Sequence, residues 1–162
     1  MPDTNPTPHM AVLFQFFNEV GIINQLATAM FEARLPHGFL VSQFAVLNHL
    51  IRVGDGRTPL DLARAFQVPK TTMTHTLAVL ERHGLVRLAP NPQDGRSKCV
   101  WITDAGRSFR ADAIAGMGPD VAQIAAAFPV DQITAVLPVL TALRSLLDAR
   151  RDAPVTAPTP AA

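Results

Sequence analysis

Two short stretches hold residue types whose spacing suits chemistry. Between Lys70 and Arg82 the chain reads KTTMTHTLAVLER, and between Asn91 and Lys98 it reads NPQDGRSK. On a helix, Met73, Leu77 and Leu80 share one face, while Lys70, Thr71, Thr74, His75, Ala78 and Arg82 fall largely elsewhere. The outward face is small, polar and free of acids near its start. Short hydroxyl side chains let a backbone approach duplex DNA, Thr methyls can touch thymine, and hydroxyls or His can bond base edges or phosphates. The helix N-terminus itself favours a phosphate. A solvated Thr and His surface is the plain alternative, and this helix alone does not separate the two.

The second stretch follows directly. Strand-like residues Leu85 to Ala89 and Cys99 to Thr103 flank NPQDGRSK, with Asp94-Gly95 as the residues that tolerate positive φ in a turn. Such a hairpin forms a wing whose Arg96 can enter a minor groove and whose Lys98 can neutralise phosphate. Asp94 is placed to hold the Arg96 guanidinium by a charge-assisted hydrogen bond. A charged, soluble hairpin tip is again the plain alternative. Charge supports the sharper reading: residues 42–104 hold eight Lys and Arg against five acids, while the rest holds six against eight. The whole chain is nearly neutral at +1, so attraction to nucleic acid must be local.

Other chemistries find little support. There is no Gly-rich phosphate loop, Gly-x-Ser-x-Gly or clustered carboxylate pair, so no enzyme, cofactor or metal is expected. His9, His37, His49, His75 and His83 show no ligand spacing, which leaves a site assembled from His37, His49 and an acid as a remote option. Cys99 is the single cysteine; Lys98 and Arg96 could lower its pKa, but without a resolving thiol it reads as a strand residue.

These segments need a scaffold. The 162 residues, 48% hydrophobic with nine Phe, suffice for one domain or two small ones without disulfides. Helices are expected over 10–34, 42–52, 59–66 and 70–83. Thr58 before Pro59, with Asp61 three residues on, is a capping-box start. The pair 59–66 and 70–83, joined by Gln67, Val68 and Pro69, has helix-turn-helix spacing. After the hairpin, Thr103 caps a helix that Gly116, Gly118 and Pro119 should break. A last helix carries Ile133, Leu137, Leu140 and Leu147, with Pro138 expected to bend it. In the first helix Gln15, Asn18, Glu19, Gln25, Thr28 and Glu32 draw one wet stripe, which argues against a membrane span at Met10 to Phe31. No Lys or Arg precedes Arg34, which argues against a signal peptide, so a cytoplasmic protein without membrane contact is expected. The Pro- and Thr-rich ends, 1–9 and 152–162, are expected to be disordered tails.

From Leu60 to Gly106 the chain resembles the MarR family of winged-helix transcription regulators. LDLARAF, VPKTTMTHTLAVLERHGLV, NPQDGRSK and VWITDAG are similar to that family's helix-turn-helix, Leu-Glu-x-x-Gly-Leu-Val ending, Asp-x-Arg wing and Leu-Thr-x-x-Gly exit. The resemblance implies a mainly α fold with a small β-hairpin wing: a winged helix-turn-helix domain at 37–104 plus a helical dimerisation arm, 10–36 and 105–151. It implies a homodimer reading a near-palindromic operator on double-stranded DNA, in the manner of a ligand-responsive repressor. Thr71, Thr72, Thr74 and His75 then lie on the recognition helix beside Lys70, and Asp94 and Arg96 form the wing pair beside Lys98. Gly95 departs from the family's frequent second wing Arg. Effectors of such proteins include small aromatic ligands, oxidants and metals, and no motif here selects among them. Independently, the first helix and the last expose more apolar surface than the reading half can cover, so Leu13, Phe17, Ile133, Leu137, Leu140 and Leu147 are expected at a dimer contact. A winged-helix protein-interaction module and a ligand-binding protein without DNA activity remain the rivals.

Overall fold

The computed structural model describes residues 8–152. Its elements are α1 (Pro8–Glu32), α2 (Val41–Val53), α3 (Pro59–Ala65), α4 (Lys70–Arg82), β1 (Val86–Asn91), β2 (Asp94–Ile102), α5 (Asp104–Gly116), α6 (Gly118–Ala127) and α7 (Val130–Asp152). Pro8 and His9, expected in a tail, already belong to α1, and Asp152 belongs to α7; the rest of both expected tails lies outside the described residues. The chain divides after Pro119 into two compact units. The first holds α1 to α5 and the hairpin; the second holds most of α6 and all of α7.

The core of the first unit is built where helical and strand periodicities converge. Val46, Leu47 and Leu50 of α2, Leu62 and Ala63 of α3, and Met73, Leu77 and Leu80 of α4 meet Leu85, Val86, Val100 and Ile102 of the hairpin. Phe66 and Val68, on either side of the α3–α4 turn, pack against it. That turn is tight enough to hold Gln67 at φ 53°, and the Val68 N–H donates back to the Ala63 carbonyl at 3.0 Å.

The ends of α4 and α5 explain two sequence motifs. After α4, the Gly84 N–H donates to the Glu81 carbonyl and the Leu85 N–H to the Leu80 carbonyl, both at 2.9 Å, with Gly84 at φ 68°. This is a Schellman closure, which needs a left-handed residue after the helix and an apolar one next. Leu80-Glu81-x-x-Gly84-Leu85 supplies both. At the other foot of the hairpin, the Thr103 hydroxyl accepts the Gly106 N–H at 3.0 Å and donates to the Gly84 carbonyl at 2.7 Å, while the Thr103 N–H donates to the Leu85 carbonyl at 3.1 Å. A Cβ at Gly106 would collide with the Leu85 carbonyl oxygen, so that position admits glycine alone without a shift.

The hairpin differs from expectation. Its strands run on to Asn91 and Asp94, and the turn falls on Pro92 and Gln93 rather than Asp94-Gly95. The antiparallel register is regular from Val86↔Ile102 to Pro90↔Lys98, then jumps to Asn91↔Asp94, leaving Gly95, Arg96 and Ser97 as a bulge on β2. Turn chemistry decides this. The Asn91 carboxamide accepts the Gln93 N–H at 3.0 Å and donates to the Ser97 hydroxyl at 2.9 Å, while Pro92 presets the next φ.

The loop between α2 and α3 adds a third edge to the hairpin. The Gly56 N–H donates to the Val100 carbonyl at 3.0 Å and the Val100 N–H to the Arg57 carbonyl at 2.9 Å. Gly56, at φ 78°, lies under the Trp101 ring, and a Cβ there would sit 3.2 Å from it. The Arg87 guanidinium lies over that ring, 5.4 Å from its centroid. The Asp55 carboxylate accepts the Ile102 N–H at 3.0 Å and pairs with Arg107 of α5 at 2.9 Å. On the other side of α2, the Glu32 carboxylate at the end of α1 accepts the Val41 N–H at 2.9 Å.

The helix expected from Thr103 breaks as anticipated. α5 ends at Gly116, Met117 caps it, and α6 restarts at Gly118 with Pro119 in its first turn, where a missing N–H costs nothing. α7 runs through Pro138, which leaves the Thr134 carbonyl without its helical donor. Arg144 and Arg151 both pair with Asp148, at 2.9 and 3.1 Å.

The capping box of α3 is complete. The Thr58 hydroxyl accepts the Asp61 N–H at 3.1 Å, and the Asp61 carboxylate accepts the Thr58 N–H at 3.2 Å and its hydroxyl proton at 2.7 Å. The Thr58 hydroxyl is the main reason the Asp61 carboxyl titrates below its usual range. A carboxyl lowered by folding stabilises above its unfolded value, about 3.9, and loses that contribution as pH falls through the folded value. Thr58→Ala should therefore cost about 1 kcal/mol at pH 7 in urea unfolding. The gap to wild type should narrow, without closing, below pH about 4. Asp55→Ala should cost about 1–3 kcal/mol by stranding the Ile102 N–H. Hydrogen exchange should show that amide losing protection, whereas Asp55→Asn, which keeps an acceptor, should retain most of it.

Candidate nucleic-acid interface

The inward face of α4 is committed to the core, which fixes what the outward face presents. Lys70, Thr71, Thr74, His75 and Ala78 line one open depression on that outward face, and Thr72 is exposed on the same helix outside it. Thr76 is buried, its hydroxyl donating to the Thr72 carbonyl at 3.1 Å. Pro69 caps α4 without a side-chain acceptor, and the first turn holds no acid, so its N–H groups and positive dipole end are open to an anion.

Lys70 also borders a second groove, between the start of α3 and the wing. Arg96 and Lys98 line it with Lys70, together with Asp61 and Asp94. Both carboxylates are occupied within their own turns: Asp61 by Thr58, and Asp94 by the Arg96 backbone N–H at 3.0 Å. Asp94 thus shapes the bulge that carries Arg96 and does not hold the guanidinium as its spacing suggested, because the two-residue offset closes an Asx-type turn first. The structure brings Lys70, Thr71, Thr74 and His75 together on one face, and Lys70, Asp94, Arg96 and Lys98 around one groove.

Other candidates fall elsewhere. Cys99 is only 3% exposed, although its strand neighbour Val100 is buried as well, so both faces of β2 are covered at this level. The His49 ring lies tilted beside Phe66, centroids 5.3 Å apart, and the His83 ring beside Phe39 at 4.8 Å. Among the described residues no group of three His, Cys, Asp or Glu is placed to hold a metal. Leu13 and Phe17 on α1 are 53% and 45% exposed. On α7, Ile133, Leu137, Leu140 and Leu147 are all exposed. The segment Val130–Arg151 is long and apolar enough to cross a membrane by length and composition, as is not expected from the sequence, where only the first helix suggests it. Asp55 is likewise not evident from sequence, its signal being weak: an acid before a glycine in a short interhelical loop.

The family model for the MarR family matches residues 37–97, from the loop before α2 into the wing. Transcriptional activatory protein BadR of Rhodopseudomonas palustris is 32% identical over 98 residues, which span 59% of this chain and 54% of BadR. Transcriptional regulator HosA of Escherichia coli O111:H- is 32% identical over 105 residues, 65% of this chain and 76% of HosA. In fold, the crystal structure of the transcriptional regulator BldR from Sulfolobus solfataricus matches with a TM-score of 0.71 at 22% identity, covering 88% of this chain and 99% of that one. With its helix-turn-helix and hairpin wing in the matched region, the chain belongs to the MarR family of transcription regulators.

Proposed function

We propose that the protein binds operator DNA as a homodimer in the cytoplasm, each copy laying α4 in the major groove while its wing grips beside it. The observation that carries this reading is the shared position of Lys70. It belongs both to the acid-free threonine face of α4 and to the cationic groove of the wing, so one backbone approach serves both. Thr71, Thr72, Thr74 and His75 are the groove contacts; Arg96 and Lys98 meet the backbone or minor groove. Paired copies imply a near-palindromic site.

The apolar residues of α1 and of α7 each support the dimer, because a helix that exposes many large apolar side chains marks an association site. Lipid is the other cover such a helix as α7 could take. The Arg144–Asp148–Arg151 ion pairs favour a protein contact with a wet rim over hydrocarbon. BadR is named as an activatory protein, so the fold serves activation as well. Repression, and its release by a small aromatic ligand, rest on the family resemblance alone.

Arg96→Ala should weaken operator binding several-fold and lower the slope of log affinity against log salt by about 0.9, the share of one phosphate. Unchanged affinity and slope would remove the wing from the interface. Sedimentation at micromolar concentration should show twice the chain mass; a monomer, or partition into added vesicles, would discard the dimer.

A further inference from the structure

Thr74 holds the middle of the exposed α4 face, bordering both the depression it shares with Lys70 and His75 and a second one toward Leu88. Its hydroxyl donates to the Lys70 carbonyl one turn back, at 2.8 Å. A threonine hydroxyl has one proton and two lone pairs. With the proton committed and χ1 held by that bond, Thr74 offers a partner only an acceptor and a methyl group. Ala78, one turn on and lining the same two depressions, adds a second methyl.

The major groove answers such a surface unevenly. Guanine presents two acceptors, O6 and N7, which oppose an acceptor-only hydroxyl. Thymine presents a C5-methyl that packs against apolar carbon, and its partner adenine presents an N6 donor that the hydroxyl can accept. From Thr71 to Ala78 there is no Arg, Lys, Asn or Gln, the side chains that read guanine or adenine in bidentate fashion. Apolar contact is therefore the main sequence-dependent contact open to the centre of this helix.

Resting on the reading of α4 as the groove-reading element, we propose that Thr74 is a specificity-determining residue: it selects an A·T pair through the thymine C5-methyl, packed against Thr74 and Ala78, and rejects guanine there.

The test starts from a pool of randomised DNA duplexes enriched on the full chain. The selected half-site is then resynthesised with uracil in place of each thymine in turn, which deletes only the methyl. At one position the wild-type protein should lose about fourfold in affinity, the worth of one buried methyl group. Thr74→Val, which keeps the methyl and removes the hydroxyl, should show the same loss. Thr74→Ser, which keeps the hydroxyl and removes the methyl, should lose most of the preference for thymine over uracil, keeping only the share that Ala78 supplies. An enriched site in which uracil has no effect anywhere overturns the proposal, as does a Thr74→Ser protein that discriminates as strongly as wild type. A pool that yields no enriched sequence overturns the DNA-binding reading itself.

Discussion

The reading half of this protein depends on one junction, where the end of α4, the start of β1, the end of β2 and the start of α5 meet. The Thr103 side chain bridges it, donating to the Gly84 carbonyl and accepting the Gly106 N–H, and the backbone of Thr103 reaches Leu85. Gly106 sits so close to the Leu85 carbonyl that a methyl group has no room. The Schellman turn at Gly84 sets the direction in which the chain leaves α4, and the Thr103 cap sets the direction in which α5 leaves the hairpin. Because Thr103 is bonded to both Gly84 and Leu85, rotation of the wing about its base strains both helix ends.

From that junction outward, the geometry of the interface follows from the core. Met73, Leu77 and Leu80 point α4 inward, so Lys70, Thr71, Thr74 and His75 have only solvent to face. The wing meets the same region because Val100 pairs on one side with β1 and on the other with Arg57, tying the hairpin to the loop that starts α3. Lys70, at the first residue of α4, is where the two converge. A single cation placed there is near both the helix dipole and the wing, which concentrates positive potential in a chain whose net charge is only +1.

Elements with strong local codes were legible. The Thr58-Pro59-x-Asp61 box, the α4 periodicity and the Gly116 to Pro119 break are each decided within a few residues, and each lies where the sequence placed it. The wing tip was misplaced because two turn signals compete within NPQDGRSK. Asp94-Gly95 is a familiar pair, but Asn91-Pro92 closes first through the Asn91 side chain, and the surplus residues become the Gly95 to Ser97 bulge. Asp94 was linked to the right residue and the wrong atom, since sequence distance cannot tell a backbone N–H from a guanidinium. Asp55 and the Gly56–Trp101 contact were invisible for a different reason. Their partners lie more than 40 residues away, so no local pattern announces them.

These long-range contacts have a mechanical consequence. Arg107 of α5 pairs with Asp55, Asp55 holds the Ile102 N–H of β2, and Arg110 of α5 donates to the Asn48 side chain of α2 at 2.9 Å. The helix that leads away from the reading half is thus fastened to the wing base and to α2 at separate points. A displacement of α5 that kept these bonds would carry Asp55 and the end of β2 with it, and with them the cations that share a groove with Lys70. A displacement that broke them would release a part-buried amide and two arginines, so α5, the wing base and α2 hold one another in place.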